Sequence, residues 1–588
     1  MRVHYKKHIV MTKPNYLIVC CLLLTACAQT PPRTEPAQPV VPHHPHAKVD
    51  AEVLPVLPDL ELSDELLYEL LLTEIANQRG HKALAVKSSA DMARQTGDPR
   101  LAKRAAQLAV ESGDMSKSID ALRYWREVEP TSIFAVRMLS SILLRGGKLD
   151  EAQPELAMIL EAEKENQGNE FMQIFQMVAS YPDKPAALKL MRELAQPYPH
   201  IAEAHWSVAQ LARVSGNEEL ALDEVRQARK LRPKLVMAVS LEAQLLQKNS
   251  PQQALEVLRR YLSDYPDNHE TRLQYARMLL EQEQYKKSRD EFQRLAKDNP
   301  SNPDIAFAIA LISLQLNDFR DAEAQLRQLL GKGGMDQNTV QYYLGQLSEA
   351  KEDQNRAIEH YREVKGGAYQ FAAQLRVVYL LNKLDKLDEA REYLHQTPAV
   401  DNQQRVQLIL IESQLLHEAK LAEDAYRVLQ QGLEKLPNHP ELLYATGMMA
   451  DKIGKPEVFE QLMRKLIQIK PDHAHALNAL GYSLLERNER IPEALELVEK
   501  ALQLAPDDAA IMDSVGWGYY RSGRLDESLD MLRRAFASNP DPEIAAHLGE
   551  VLWMHGDKDE AGKVWQDSLK AHPGNVPLQT VIEKFTGQ

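Results

Sequence analysis

Cysteine is scarce in this sequence, and the cysteines that it has lie near one end. The chain has 588 residues and three cysteines, which are Cys20, Cys21 and Cys27. Beyond residue 27 there is therefore no thiol to form a disulfide, ligate zinc or act as a nucleophile. This distribution excludes cysteine-based enzymes and zinc domains, and it suits an oxidising compartment, where an unpaired thiol would be a liability.

The apolar run near the N-terminus is too short to span a membrane. It covers residues 17–24 (LIVCCLLL), whereas a membrane-spanning helix needs about 20 residues. Basic residues precede it at Arg2, Lys6, Lys7 and Lys13. A basic segment followed by a short apolar run predicts a signal peptide over residues 1–26, which is removed from the mature protein.

Basic residues are fewer than acidic residues in this sequence. The chain has 70 Lys and Arg against 84 Asp and Glu, and removing residues 1–26, which hold four basic residues and no acidic ones, leaves a net charge of −18. A surface of that sign repels the phosphates of a nucleic acid, and no basic block compensates for it. The sequence therefore predicts protein or peptide partners and no nucleic acid.

Catalytic motifs are absent as well. His417-Glu418 begins like the helix of a zinc protease, but Leu421 stands where the second histidine would be. The chain has neither the Gly-Lys-Ser/Thr of a phosphate loop nor the Gly-x-Ser-x-Gly of a serine hydrolase. We therefore expect a protein that is not an enzyme and that has no metal site and no cofactor.

The signal peptide ends in the sequence Leu24-Thr25-Ala26-Cys27. This motif resembles the lipobox of bacterial lipoproteins, in which the cysteine is lipidated and becomes the first residue of the mature chain. The resemblance implies lipidation, for example with palmitate, at Cys27, and Ala28 is similar to residues that direct lipoproteins to the outer membrane. An ordinary signal peptide with a chance cysteine is the alternative. The sequence leaves open whether the chain starts at Met1 or Met11.

Proline dominates the segment that follows, residues 27–62. The prolines lie at Pro31, Pro32, Pro36, Pro39, Pro42, Pro45, Pro55 and Pro58. Because proline density favours an extended polyproline II conformation over a packed fold, we predict a tether between the lipidated cysteine and the rest of the chain.

Prolines also mark a period through the rest of the chain. They recur every 33 to 35 residues, at Pro199, Pro233, Pro266 and Pro300, and again at Pro437, Pro471, Pro506, Pro540 and Pro573. A period of this length in a helix-rich sequence is typical of repeat proteins built from pairs of helices. An irregular all-α protein is the alternative, but it would not keep this phase.

Small residues recur between the prolines. One set is Gly516, Ser528, Ala535 and Pro540, and another is Gly481, Ala494, Ala501 and Pro506. Both sets resemble the tetratricopeptide repeat, in which small residues let two antiparallel helices approach closely. The resemblance implies an all-α superhelical solenoid of about 15 helix pairs over residues 63–581, followed by a short C-terminal tail, 582–588.

The last three repeats predict a peptide groove. Their first helices are expected to start at 474, 509 and 542, and one stripe along each helix faces the concave side. That stripe contains His475, Asn478, Tyr482, Asp513, Trp517, Tyr520, Glu550 and Trp553, with Leu485 and Glu543 beside them. Aromatic anchors with flanking polar groups suit peptide capture. The alternative is that Trp517 and Trp553 merely pack between repeats.

Two segments, residues 67–105 and 476–555, extend the resemblance beyond the generic repeat. They are similar to tetratricopeptide-repeat lipoproteins of proteobacteria that bind a carboxyl-terminal processing protease. The resemblance implies an adaptor that is anchored to the outer membrane and faces the periplasm. Such an adaptor binds the periplasmic serine protease and presents its substrates, which are peptidoglycan cross-link hydrolases. It implies no residue-level map of the protease interface.

Two other functions remain open at this point. The first is a structural lipoprotein that helps to assemble a secretin, a pilus or a polysaccharide exporter in the outer membrane. The second is a hydrolase whose site is hidden in the array, which would require activity from the purified chain alone.

Overall fold

We describe residues 57, 58, 60–332 and 334–587 of a computed structural model of the protein. In these residues the secondary structure consists of 31 α-helices, with no strand. The predictions of an all-α fold and of about 15 helix pairs are therefore confirmed. The predicted signal peptide (1–26), most of the predicted tether (27–62) and Cys27 lie outside the described residues.

The chain divides into two compact units, one ending at Gln325 and the other including everything from Leu326 onward. The helices that lie in the first unit, or that contain the boundary, are α1 (Asp64–Gln78), α2 (Lys82–Thr96), α3 (Pro99–Ser112), α4 (Met115–Val128), α5 (Ile133–Arg145), α6 (Leu149–Ala162), α7 (Gln167–Ala179), α8 (Lys184–Ala195), α9 (Ala202–Val214), α10 (Glu218–Leu231), α11 (Val236–Gln247), α12 (Pro251–Asp264), α13 (His269–Glu281), α14 (Tyr285–Asp298), α15 (Pro303–Gln315) and α16 (Phe319–Lys332).

The helices of the second unit follow after residue 336. They are α17 (Gln337–Ala350), α18 (Gln354–Arg362), α19 (Gln370–Lys383), α20 (Leu387–Gln396), α21 (Asn402–Glu418), α22 (Ala422–Lys435), α23 (Pro440–Lys452), α24 (Pro456–Ile469), α25 (Ala474–Glu486), α26 (Ile491–Leu504), α27 (Ala509–Arg521), α28 (Leu525–Ser538), α29 (Pro542–His555), α30 (Lys558–Ala571) and α31 (Val576–Thr586).

The prolines that set the period lie where helices end. Pro437, Pro471 and Pro506 each come directly after the C-cap residue of α22, α24 and α26. Proline cannot continue a helix, so it ends the second helix of each pair without leaving an unpaired N–H group. The helix after Pro506, α27, is then capped by a carboxylate. Asp508 Oδ1 accepts hydrogen bonds from the backbone N–H of Ala510 at 3.0 Å and of Ile511 at 3.2 Å.

Glycines let the two helices of the C-terminal pairs touch. A Cβ atom added at Gly516 would lie 2.6 Å from Leu532 Cγ, and one added at Gly481 would lie 2.6 Å from Val498 Cγ1. Carbon atoms do not approach so closely without strain. The structure thus confirms the role that the sequence predicts for Gly481 and Gly516.

Each unit buries apolar side chains between successive helices, as expected for a solenoid. In the first unit a continuous cluster extends from Val86 to Leu211. In the second unit a cluster extends from Val406 to Leu578, so it joins the last eleven helices. Each repeat therefore depends on its neighbours for burial.

The C-terminal end differs from the prediction. Helix α31 begins after Asn575, whose Oδ1 accepts a hydrogen bond from the backbone N–H of Leu578 at 3.0 Å, and it runs to Thr586. The predicted tail, 582–588, therefore starts inside a helix. The helix continues because apolar side chains at 582 and 585 are partly buried against the core of the last repeat.

Candidate peptide-binding surface

The predicted peptide surface lies on the first helices of the last three pairs, α25, α27 and α29. Because the repeats are about 34 residues long, equivalent positions on these helices lie side by side. We refer to the polar and aromatic side chains on this stripe and directly beside it as the C-terminal cluster. It consists of Asn478, Tyr482, Asp513, Trp517, Tyr520, Glu543, His547 and Glu550.

A buried ion pair lies at the centre of the C-terminal cluster. His547 Nδ1 is 3.0 Å from Asp513 Oδ1 and 2.9 Å from Oδ2. Burial alone would lower the pKa of His547, but the carboxylate of Asp513 outweighs it and raises that pKa to about 9. The ring of Trp517 stacks on the imidazole, with centroids 4.3 Å apart. His547 was not among the predicted site residues, although its position 34 residues after Asp513 signals a contact across one repeat.

Two tyrosines connect different repeats by hydrogen bonds to carboxylates, the first across two repeats and the second between neighbouring ones. The Tyr482 hydroxyl donates to Glu543 Oε1 at 3.0 Å, and the Tyr520 hydroxyl donates to Glu550 Oε1 at 3.3 Å. Burial raises the pKa of both phenols, and the neighbouring carboxylates raise it further. Both tyrosines therefore stay neutral donors at ordinary pH. The structure thus joins predicted site residues from three repeats into one network.

Two buried polar atoms of the C-terminal cluster have no hydrogen-bond partner. They are Trp517 Nε1, on a side chain that is 5% exposed, and Asn478 Oδ1, on a side chain that is 3% exposed. An unpaired buried donor or acceptor is costly, and such groups are few in native proteins. One donor and one acceptor therefore stand unused on the stripe that the sequence predicts to bind a peptide.

The remaining predicted residues lie at the two ends of this stripe. His475 is in the first turn of α25, with its ring 6.5 Å from the ring of His473. Trp553 packs against Trp565 at 5.9 Å and against Phe585 at 6.2 Å. The alternative interpretation, packing between helices, therefore describes the surroundings of Trp553, and it describes the stacking of Trp517 on His547 as well.

A second candidate surface lies at the other end of the array, on α1. Large apolar side chains project from one side of this helix. Tyr68 is 65% exposed, Leu71 is 54%, Ile75 is 47% and Leu67 is 43%. We call these four side chains the N-terminal apolar face. Leu60 and Leu62, just before the helix, are exposed as well. Grouped exposed apolar residues of this size are typical of an interaction site.

The opposite side of α1 holds the helix to its neighbours. Thr73 and Ala76 are buried, and the Thr73 hydroxyl donates to Ser88 Oγ at 3.0 Å. Arg104 of α3 donates two hydrogen bonds to Glu74, at 2.8 and 2.7 Å, and they lower the pKa of that carboxyl. Helix α1 is therefore a packed part of the array. The first repeat was predicted to lie here, but its apolar outer side was not predicted.

In the part of the chain that the structure describes, neither candidate surface contains a group of side chains that could hold a metal ion. Within residues 60–332 and 334–587, His, Cys, Asp and Glu side chains nowhere gather in threes in a way that would hold a metal ion. In the same part of the chain, every helix is too short or too polar to cross a membrane. Both surfaces instead have the composition of protein-binding sites, one apolar and one acidic with aromatic rings.

Comparison with known protein families yields matches to models of the tetratricopeptide repeat. One such model matches residues 245–312, and another matches residues 307–373, 457–509 and 516–576. These segments lie in both compact units. They include α25 and α29 in full and the second half of α27, the three helices on which the C-terminal cluster lies.

Similar proteins include the TPR repeat-containing protein PA4667 of Pseudomonas aeruginosa, which is 31% identical over 548 residues. That match covers 92% of this chain and 90% of the relative. The cellulose synthase operon protein C of Pseudomonas fluorescens is 25% identical over 47% of this chain and 26% of its own length. Among solved structures, the APC/C hetero-tetramer Cut9–Hcn1 covers 89% of this chain, with 14% identity and a TM-score of 0.32.

Proposed function

Because this chain belongs to the tetratricopeptide-repeat protein family, we propose that it is a lipid-anchored adaptor for a periplasmic carboxyl-terminal processing protease. Tetratricopeptide repeats form extended surfaces for protein–protein interaction. In this proposal the lipidated Cys27 holds the protein at the inner face of the outer membrane. The array binds the serine protease and presents substrates such as peptidoglycan cross-link hydrolases to it.

The N-terminal apolar face is the observation that best supports a stable partner. Four large apolar side chains that stay exposed on one helix leave substantial apolar area in water, and each square ångström buried by a partner is worth about 25 cal/mol. Acidic residues lie beside them at Glu61, Asp64 and Glu65. An apolar centre with a charged rim is the usual composition of a protein interface. We propose that the protease docks here.

The position of this face also suits an anchored adaptor. Twenty-nine residues lie between Cys27 and Leu57, where the described chain begins. An extended polyproline II segment of that length reaches about 90 Å at about 3.1 Å per residue. A protease bound to α1 would therefore be held within that distance of the membrane. A protease and a substrate bound on one body have an effective concentration in the millimolar range if the connection is short.

A pair of charge substitutions on α1 tests the docking face. Leu67→Asp with Leu71→Asp places two carboxylates in the centre of the proposed interface, and we expect binding of the protease to weaken at least a hundredfold, that is, by about 3 kcal/mol. The matched control is Leu231→Asp with Leu504→Asp, because those leucines are 43% and 44% exposed. Equal weakening by both pairs would refute docking at α1.

The adaptor function needs its own measurement. Removing the array from the reaction should slow cleavage of the hydrolase substrates far more than cleavage of a generic unfolded peptide, because only the former need presentation. Equal slowing of both reactions would contradict the adaptor. Failure of the unsubstituted protein to bind the protease at all would refute the proposed function itself.

The similarity to cellulose synthase operon protein C favours a second candidate function. In this alternative the protein is a structural lipoprotein that helps to assemble an outer-membrane machine, such as a polysaccharide exporter, a secretin or a pilus. Crosslinking in envelopes, followed by purification of the lipidated protein, separates the two. The adaptor should bring a soluble serine protease with it, whereas the assembly factor should bring an outer-membrane barrel or a secretin ring.

A further inference from the structure

We infer that two copies of this protein pair through their N-terminal apolar faces, with the two α1 helices antiparallel, and that the protease displaces one copy when it binds. The pairing itself depends only on the residues of α1 and those beside it. Its regulatory role rests on the proposed function, because it makes the second copy and the protease compete for the same face. Three features of α1 support the pairing, which are its apolar stripe, its charge distribution and the size of the face.

The exposed apolar side chains of α1 form a narrow stripe. Tyr68, Leu71 and Ile75 are spaced by three and four residues, and this spacing puts them on one side of the helix. Thr73 and Ala76 lie on the opposite, buried side. A stripe with this spacing matches the seam along which two helices pack in a coiled coil. The face therefore suits a helix as its partner, and the α1 helix of a second copy has the required stripe.

The two ends of α1 have charges of opposite sign. Glu61, Asp64 and Glu65 lie exposed at the N-terminal end. Arg79, the C-cap residue of α1, and Lys82, the first residue of α2, lie exposed at the other end. In an antiparallel pair the acidic end of each α1 lies beside the basic end of the other, whereas a parallel pair would bring like charges together. The charges therefore favour a second copy in the antiparallel orientation.

The contacts made within one copy leave these end charges available. Lys82 Nζ donates a hydrogen bond to the backbone carbonyl of Glu111 at 2.8 Å, and a carbonyl does not neutralise the ammonium charge. Glu74 is already paired with Arg104, so those two residues add nothing to either end. An antiparallel pair is also symmetric about a twofold axis, and in such a pair both copies use the same surface.

The face is small, so the pair should be weak enough for the protease to displace. Four large apolar side chains on each copy form its centre, and interfaces that bury less than about 1,200 Å² in total are typical of transient complexes. Anchoring two copies to one membrane raises their effective concentration, because each is confined near the other. Lipid-anchored copies therefore pair while no protease is bound, and the pairing keeps apolar surface out of water.

Sedimentation equilibrium of the lipidated protein in a density-matched detergent measures the pairing. We expect a reversible equilibrium between monomer and dimer. Leu71→Asp should raise the dissociation constant at least about a hundredfold, because both copies carry the substitution and each carboxylate would lie in the apolar centre. The matched control is Leu504→Asp, since Leu504 is 44% exposed on α26, and it should leave the dissociation constant unchanged.

Charge reversal tests whether the occupant is a second copy. Asp64→Lys with Glu65→Lys makes both ends of α1 basic, and Arg79→Glu with Lys82→Glu makes both ends acidic. The dissociation constant of each variant alone should rise at least about tenfold, because like charges then meet. An equal mixture of the two variants should recover the dimer, because every basic end then meets an acidic one.

A second acidic helix start provides the control for charge reversal. Glu218→Lys with Glu219→Lys reverses two exposed carboxylates in the first turn of α10. This change should leave the pairing unchanged, although it places the same charges at a helix N-terminus. Thermal unfolding curves show whether each variant retains the fold. If one charge variant unfolds, Leu71→Asp and its control still decide.

The outcomes separate the pairing from the proposed function. A monomer at every concentration, or a mixture of charge variants that stays monomeric, would overturn the inference, and protease binding by the same preparations would leave the adaptor function standing. A protease that binds without dissociating the dimer would refute the competition. If the dimer forms as expected but the protease does not bind, the pairing stands and the adaptor function is refuted.

Discussion

The first and last of the described helices, α1 and α31, are a natural pair to compare, because each stands at one end of the series of described helices. Helix α31 turns its apolar side chains inward. Leu578 is fully buried, Phe585 contacts two tryptophan rings, and only Val576 among its large apolar side chains is exposed. Helix α1 does the opposite, because four of its large apolar side chains are exposed.

The two ends of the array therefore differ in how much apolar surface they leave exposed to water. A solenoid needs terminal helices with polar outer faces, because the end of a stack otherwise leaves apolar surface in water. Helix α31 meets that requirement and α1 does not. Sequence selection for solubility alone would favour polar residues at Leu71 and Tyr68. We interpret their retention as a requirement for a binding partner at this end.

The largest expected effect concerns the packing of helices at the C-terminal end of the array, where α31 buries its apolar side chains. A Cβ atom at Gly549 would overlap the indole of Trp565, which is 1% exposed. Gly549→Val should therefore destabilise the second unit by about 3 kcal/mol or more, since neither α29 nor α30 can move apart without opening the core. Urea unfolding followed by tryptophan fluorescence measures this change.

The neighbouring helix provides the control for that substitution. Nothing lies within 4 Å of a Cβ atom built at Gly562, which is on the outer side of α30. Gly562→Ala should therefore raise stability by up to about 1 kcal/mol, because alanine favours a helix over glycine. Similar destabilisation by both substitutions would mean that close helix packing at Gly549 does not stabilise the C-terminal end of the array.

Much of the structure at the C-terminal end of the array could be predicted from the sequence. The features that were missed have physical explanations. Gly516 and Pro506 mark a helix contact and a helix end, so they predict the repeat directly. The end of α31 was missed because the predicted solenoid stops at 581 and the predicted tail starts at 582, in the middle of a helix that runs from Val576 to Thr586. The spacing of Leu578, Ile582 and Phe585 would have identified it, because residues four and three apart share one side of a helix.

The exposed apolar side of α1 and the ion pair at the centre of the C-terminal cluster could not be predicted in the same way. Helix α1 is apolar on all sides (LLYELLLTEI), so periodicity does not tell which side faces the neighbouring helices. His547 lies off the predicted stripe by its place in the helix. Its partnership with Asp513 depends on how neighbouring repeats are aligned, and this alignment is a tertiary feature.

The next largest effect is expected for the apolar contact that holds α31 in place. Leu578→Ala removes a fully buried side chain and should cost about 2–3 kcal/mol of local stability. Because α31 is terminal, the loss should appear as faster amide exchange in α31, with smaller changes in α29 and α30. If amide exchange in α31 is already fast in the unsubstituted protein, the helix does not protect the core of the last repeat.

A pH dependence is expected for the stability of the second unit. His547 has a pKa of about 9 in the folded protein against an ordinary value of 6.5. A raised pKa stabilises the fold fully below the unfolded value, and this contribution is lost as pH rises from about 6.5 to about 9. We expect a loss of about 1–3 kcal/mol over that range. His547→Gln should flatten the pH profile of urea unfolding, and an unchanged profile would show that the ion pair with Asp513 contributes nothing.

The smallest expected effect is the most direct test of the contrast between the two ends. Leu71 is 54% exposed, so Leu71→Ser removes few contacts within the chain, and stability should change by no more than about 0.5 kcal/mol. The same substitution should reduce aggregation at high concentration, because it interrupts the N-terminal apolar face. Unfolding in urea and light scattering measure the two quantities. A large loss of stability would mean that Leu71 supports the fold and is not kept exposed for a partner. Helix α1 would then resemble α31, whose apolar side chains pack within the chain.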